Sequence, residues 1–167
     1  MAARILDGTA IAAAVRADVA LEVAAHVAAG GRRPHLSVIL VGDDPASHVY
    51  VRNKGRACEE AGMTSETIQR PATLSQAELL AEVARLNADP NVSGILVQMP
   101  LPKQIDELAV MSALSPQKDV DGLSPTSLGL LLQGVPAFAP ATPSGVLEKL
   151  SNGIAIFSHM ATDKIPE

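Results

Sequence analysis

The chain has 167 residues, 47% of them hydrophobic and 19% charged, with a formal net charge of −5. That composition suits one folded domain with a sizeable core and excludes a disordered chain. Two Phe, one Tyr, no Trp and an acidic balance without a long Lys/Arg cluster exclude nucleic acid as the main partner. The first predicted element is a helix over Thr9–Ala29, "TAIAAAVRADVALEVAAHVAA", with an apolar stripe through Ile11, Val15, Val19, Val23 and Val27 and a stop at Gly30-Gly31. Next, "PHLSVILVG" is a short β-branched apolar run ended by Gly42, which predicts a buried strand. A second helix follows at once: Asp44 is its cap, Pro45 its first residue and Gly62 its stop.

"SETIQR" predicts a second strand, "SQAELLAEVARLNAD" an amphipathic helix from Ser75, and "VSGILVQMP" a third strand stopped by Pro100. Another helix is expected near Ile105 to Leu114, before the loop "QKDVDGLSP". Helix and strand alternate, so the fold class is α/β, a three-layer α/β/α domain with a mainly parallel sheet. Ligands of such sheets gather at the carboxyl ends of the strands. Here those ends are Gly42-Asp43-Asp44, Gln98-Met99-Pro100 and, after the last helix, the loop "QKDVDGLSP".

A single cysteine, Cys58, excludes an internal disulfide framework and is expected to be a small packed core residue. Histidines 26, 35, 48 and 159 lack metal-ligand spacing, so no metal site is expected. No apolar signal core stands behind basic residues at the start, and no apolar run approaches a bilayer's thickness. A cytoplasmic location without membrane association is therefore expected.

Within the second helix, Ser47, Tyr50, Val51, Lys54, Cys58 and Ala61 recur at three- and four-residue spacing and share a face. Lys54 thus falls in the less polar stripe. Either its stem packs while the ammonium reaches water, or confinement beside Tyr50 disfavours the charged form and suits the amine to proton transfer near neutral pH. Taken alone, Ser47 is an ordinary first-turn helix residue, Gln98 ends a strand, and Asp121 before Gly122 reads as a turn residue.

Taken together and in order, "GDDPASHVYVRNK", "GILVQMPLP" and "KDVDGLSP" closely resemble the signature stretches of the bifunctional methylenetetrahydrofolate dehydrogenase/methenyltetrahydrofolate cyclohydrolase (FolD-type) family. The likeness runs from about Ala3 to Val146. It implies a tetrahydrofolate derivative as substrate, with Lys54 as the proton-transfer residue, Gln98 as its hydrogen-bonding orienter and Tyr50 packing on the aminobenzoyl part. By the same resemblance Asp121 holds the pterin ring and Ser47 supplies a hydroxyl near the reaction centre, while Asp119 is a weaker candidate that serves its own loop. A carboxylate can accept from an aminopyrimidinone edge, and an amide can orient an amine without adding charge. The resemblance also implies NADP as the parent cofactor and a possible homodimer.

The likeness fades near "PATPSGVLEKL", where Ala141 stands in place of the family's common cysteine. In the family a Rossmann domain follows, opening with a strand and a turn of the "GRSxxVGxP" kind. Here "SNGIAIFSHMATDKIPE" offers "IAIF" as the start of one strand and no Gly-rich turn, so no NADP site is evident. The expected organisation is a folate-binding catalytic domain over 1–146 and an atypical tail over 147–167. In the family a final helix returns to pack on the folate domain, so its lack is expected to leave apolar surface uncovered.

Overall fold

The computed structural model describes residues 7–153. Three strands, β1 His35–Val41, β2 Thr64–Arg70 and β3 Gly94–Val97, form one parallel sheet in the order β2-β1-β3. Among the described residues there are six helices: α1 Gly8–Ala28, α2 Pro45–Glu60, α3 Gln76–Ala88, α4 Glu107–Ala113, α5 Pro125–Leu132 and α6 Ala141–Gly153. The result is the expected α/β domain with helices on both sheet faces. The candidate strand "IAIF" lies outside the described residues.

Period-two alternation in β1 divides the core. Ile39 and Val41 turn to one face, where Ile68, Ile95 and Val97 join Leu79, Val83 and Leu86 of α3 and Val110 of α4. Val38 and Leu40 turn to the other, where they meet Leu96 and Val51 of α2. Because β1 is central and buried on both faces, it reads as a continuous apolar run.

Local signals set the boundaries. Asp44 caps α2 by accepting from the Ser47 amide at 2.8 Å, and Pro45 occupies the first turn. Ser75 and Glu78 form a reciprocal capping box at the start of α3. β3 is shorter than predicted. At its start the Val92 amide is taken by the Asp89 carbonyl in a turn, and at its end Pro100, after the cis Met99–Pro100 peptide, has no N–H for a ladder.

The stripe predicted on α1 is only partly covered: Val23 is buried, Ile11, Val19 and Val27 are half-buried, and Val15 is exposed. The reason is position, since the main contacts of α1 are with α2 and α6, outside the central layers. Neither α5 nor α6 was predicted. α6 runs without a break through positions 146 and 147, where a tail was expected to begin. Several apolar side chains of the C-terminal segment are exposed, Leu132 at 89% and Leu131, Val135, Phe138 and Leu147 less so, as are Leu21 and Leu108 elsewhere.

Candidate active site

The carboxyl ends of β1 and β3 lie side by side, because Gln98, one residue past β3, donates its amide to the Ile39 carbonyl of β1 at 2.9 Å. α2 leaves the end of β1 through Gly42, Asp43 and Asp44, and Ser47 and Lys54 on it reach Met99 and Gln98 just past the end of β3. The parallel arrangement thus places one helix face over one strand terminus.

On that face Lys54 is half-buried and donates from Nζ to Gln98 Oε1 at 3.2 Å. The other end of the Gln98 amide donates to the Met99 carbonyl at 2.8 Å, which fixes the side chain so that its oxygen faces the amine. Ser47, buried, reaches the same carbonyl from Oγ at 3.5 Å. Gln98 and Ser47 therefore share one backbone oxygen, with Lys54 joined through Gln98; Met99, which sequence analysis placed only at the strand end, supplies that oxygen. An amine oriented by a neutral amide keeps its remaining valences for a reacting group.

Tyr50 differs from its expected place. Spacing put it in the apolar stripe, yet the ring is 61% exposed, because the adjacent Val51 occupies the position facing the sheet. An open phenol ring one helical turn from Lys54 is a flat contact surface beside the amine.

The loop between α4 and α5 carries the remaining candidate. Asp119 forms a parallel bridge with Ile95, so the chain continues from it toward the end of β3 where Gln98 lies. Asp121 is half-buried and makes no hydrogen bond or ion pair among the described residues. Gly122 beside it has φ +63°, and a Cβ there would stand 2.6 Å from the Phe138 carbonyl oxygen, so only glycine lets segment 138–139 pass this closely.

Asp119 behaves oppositely. Wholly buried, it accepts from the Ser124 amide at 2.8 Å, the Ser127 hydroxyl at 2.7 Å and the Leu123 amide at 3.4 Å. Burial opposes its charge, but the hydrogen bonds from Ser127, Ser124 and Leu123 outweigh that and hold the carboxyl below its usual range. Cys58 is buried as expected, and burial together with the Glu59 charge pushes its thiol up, away from reactivity.

A dinucleotide pyrophosphate needs a helix start that is open to an anion. Five helices here begin on the chain's own oxygen groups. Asp7 accepts from the Thr9 and Ala10 amides of α1, Asp44 from Ser47 of α2, and Asp106 from the Leu108 and Ala109 amides of α4. Ser75 with Glu78 closes α3, and Ser124 with Asp119 closes α5. The described residues at these starts do not fit an NADP pyrophosphate. Two cavities of about 550 Å³ each lie elsewhere, one against Gln117, Leu130 and Phe138, the other between α1, Ala57 and α6. No helix among the described residues is long and apolar enough to cross a membrane, and none of those residues form a group of three or more His, Cys, Asp or Glu suited to a metal.

Comparison with known proteins gives one consistent family. Residues 6–121 match the family model described as tetrahydrofolate dehydrogenase/cyclohydrolase, catalytic domain. The chain is 54% identical over 156 residues to the bifunctional protein FolD of Rhodopirellula baltica, covering 90% of this chain and 52% of that protein. It is 57% identical over 151 residues to the bifunctional protein FolD of Acidiphilium cryptum, covering 90% and 53%. Among solved structures, the 5,10-methylenetetrahydrofolate dehydrogenase of the silkworm Bombyx mori superposes with a TM-score of 0.89 at 42% identity, over 90% of this chain and 52% of that one. The Trypanosoma brucei N5,N10-methylenetetrahydrofolate dehydrogenase-cyclohydrolase, solved with NADP cofactor and inhibitor, superposes with a TM-score of 0.85 at 37% identity, over 92% and 53%. The chain spans about half the length of the relatives it matches.

Proposed function

The chain belongs to the tetrahydrofolate dehydrogenase/cyclohydrolase family, and on that premise we propose that it binds a tetrahydrofolate derivative at the carboxyl ends of β1 and β3. In this reading Lys54 serves as the proton-transfer group for methenyl hydrolysis. The observation that carries it is the contact from Lys54 Nζ to Gln98 Oε1, with Gln98 itself anchored on Met99. Tyr50 offers the aminobenzoyl group a ring face, Asp121 offers the pterin edge an unpaired carboxylate, and Ser47 lines the floor.

The chemistry asks for little machinery. Water's oxygen bonds to the methenyl carbon and loses one proton; the bond from that carbon to N5 then breaks as N5 takes a proton and the new hydroxyl gives up its own to become the formyl carbonyl, leaving the 10-formyl product and one proton released overall. These transfers suit one amine placed beside the carbon. Oxidation of the methylene substrate asks for more, because a nicotinamide must be held in contact with the same carbon, and NADP supplies the hydride acceptor when it is bound. The starts of α1 to α5 are closed by the chain's own oxygens and do not fit a pyrophosphate, so no step here is assigned to residues of this chain acting on NADP. We propose that the 167-residue chain alone does not run the dehydrogenase half. A folate-binding module without turnover is the second reading, and it differs in expecting binding without hydrolysis.

Lys54→Met keeps the stem and removes the base. Hydrolysis of methenyltetrahydrofolate, followed through loss of its chromophore, is expected to vanish in this variant while folate affinity stays within about tenfold, or roughly 1.4 kcal/mol. Hydrolysis by the Met variant at the wild-type rate would remove Lys54 from the chemistry. Binding by the wild type without any hydrolysis would select the module reading. NADPH formation from methylenetetrahydrofolate above an enzyme-free blank would overturn the proposal about the dehydrogenase half.

A further inference from the structure

In the loop from Lys118 to Asp121, three consecutive side chains are committed to the fold. Lys118 donates from Nζ to the carbonyls of Leu86 at 2.9 Å, Asn87 at 2.9 Å and Asp89 at 2.7 Å, tying the loop to the end of α3. Asp119 ties it to the start of α5. Val120 packs toward the sheet over Gly94, where a Cβ would stand 2.4 Å from Val120 Cγ1. Asp121 is the fourth, and it is left without a partner among the described residues.

The attachment at Asp119 is the one that reaches past Asp121. Its donors, Leu123, Ser124 and Ser127, lie on the far side of Asp121 in the chain, and the Gly122 amide returns to the Asp119 carbonyl at 3.0 Å. The hydroxyls complete a closed circuit. Ser124 Oγ donates to Ser127 Oγ at 2.9 Å while accepting from the Ser127 amide at 3.1 Å, and Ser127 Oγ donates to Asp119 Oδ2. Every donor in this buried group has an acceptor, so the geometry has a single low-energy arrangement. A carboxylate facing the first turn of α5 is further favoured by the helix dipole.

We infer that Asp119 is a positioning residue whose buried carboxylate, held by Leu123, Ser124 and Ser127, closes the turn around Asp121 and sets where Asp121 presents its oxygens to the pterin. The ligand in this inference rests on the folate reading above; the turn geometry does not. Asp119→Asn keeps the shape but places an amide N–H₂ against either the Leu123 amide or the Ser124 and Ser127 donors. Ser127→Ala is milder, removing one donor and leaving both backbone contacts.

Two measurements on the full chain test it. The first needs no ligand: hydrogen exchange at the Gly122, Leu123 and Ser124 amides is expected to quicken by about tenfold or more in Asp119→Asn, with the β3 amides of residues 95–97 unchanged. Ser127→Ala is expected to move the same amides less, and it stands in if the Asn variant does not fold. The second is calorimetry with 5-formyltetrahydrofolate as probe. Asp119→Asn is expected to weaken binding about tenfold in the wild-type background and to have no effect once Asp121 is already Ala. Equal losses in both backgrounds, or unchanged exchange at 122–124, would overturn the inference. If the wild type binds no probe, the folate reading fails, and the exchange measurement alone decides whether Asp119 sets the turn.

Discussion

The two faces of the sheet are built to different standards. On the α3 and α4 side, Ile39, Val41, Ile68, Ile95 and Val97 sit in a broad apolar cluster with Leu79, Val83, Leu86 and Val110. On the α2 side, only Val38, Leu40, Val51 and Leu96 are buried together, with Leu36 and Val120 partly covered. Lys54, Gln98 and Ser47 gather at the end of this thinner face. One strand, β1, serves both sides through alternate residues. The contrast teaches that a polar group can be held rigidly by a thin layer when the opposite layer supplies the stability.

The same substitution on each face would sharpen that contrast. Leu86→Ala, at a fully buried position of the thick face, is expected to cost about 4–5 kcal/mol in urea unfolding, near the top of the range for such truncations. Leu40→Ala on the thin face is expected to cost nearer 2 kcal/mol, because half-covered neighbours can settle into the gap, and also to weaken folate binding by loosening α2 over the strand ends. Equal stability losses, with binding untouched in both, would break the comparison.

Asp121→Ala should separate binding from stability. With no internal partner to lose, its unfolding free energy is expected to stay within about 0.5 kcal/mol of wild type, while calorimetry with a reduced folate shows a loss of roughly 1–3 kcal/mol. Unchanged affinity would take Asp121 out of the site. The smallest expected effect belongs to Glu82, on α3 of the thick side. Burial raises its carboxyl, but Arg85 and Arg70, both hydrogen-bonded to it, outweigh burial and hold it below the usual range. A folded value below the unfolded one means stability present above the unfolded value, about pH 4, and lost as the pH falls through the folded value. Glu82→Gln is expected to remove less than about 1 kcal/mol at neutral pH, since both arginines are partly exposed, and to flatten the acid limb of an unfolding-against-pH curve below about pH 4. A limb of unchanged slope would show that the acid sensitivity lies with other carboxylates such as Asp119.

What the sequence made legible follows from the range of the forces involved. Asp44-Pro45 and Ser75 with Glu78 announce α2 and α3 because capping is settled within four residues. Ser124-Pro125 carries the same kind of signal, but "TSLGLLLQG" has no clear apolar period behind it to announce a helix. The stripe on α1 was visible, but how much of it is covered depends on α2 and α6 rather than on α1. Periodicity placed Lys54 correctly near the sheet and Tyr50 too deeply, since a stripe spans neighbouring positions and packing chose Val51. Gln98 stands 44 residues from Lys54, beyond any local pattern, so their meeting came from resemblance and not from spacing. Asp119 and Asp121 look alike in "KDVDG"; only the tertiary placement of Ser124 and Ser127 distinguishes the anchored carboxylate from the open one.

The strand order carries a consequence in time. β1 lies in the middle of the sheet but is the first strand from the ribosome, and its edges wait: His35 pairs with a β2 residue 29 positions later and contacts Ser93, just before β3, 58 positions later. Until Val97 has emerged, an apolar strand has one bare edge, and each closure must overcome the entropy of a long crossover. The nascent chain is therefore most exposed to mispairing while α3 is being made, and a holdase that covers "LSVILV" during that interval would shield the central strand while its β3 partner is still to come.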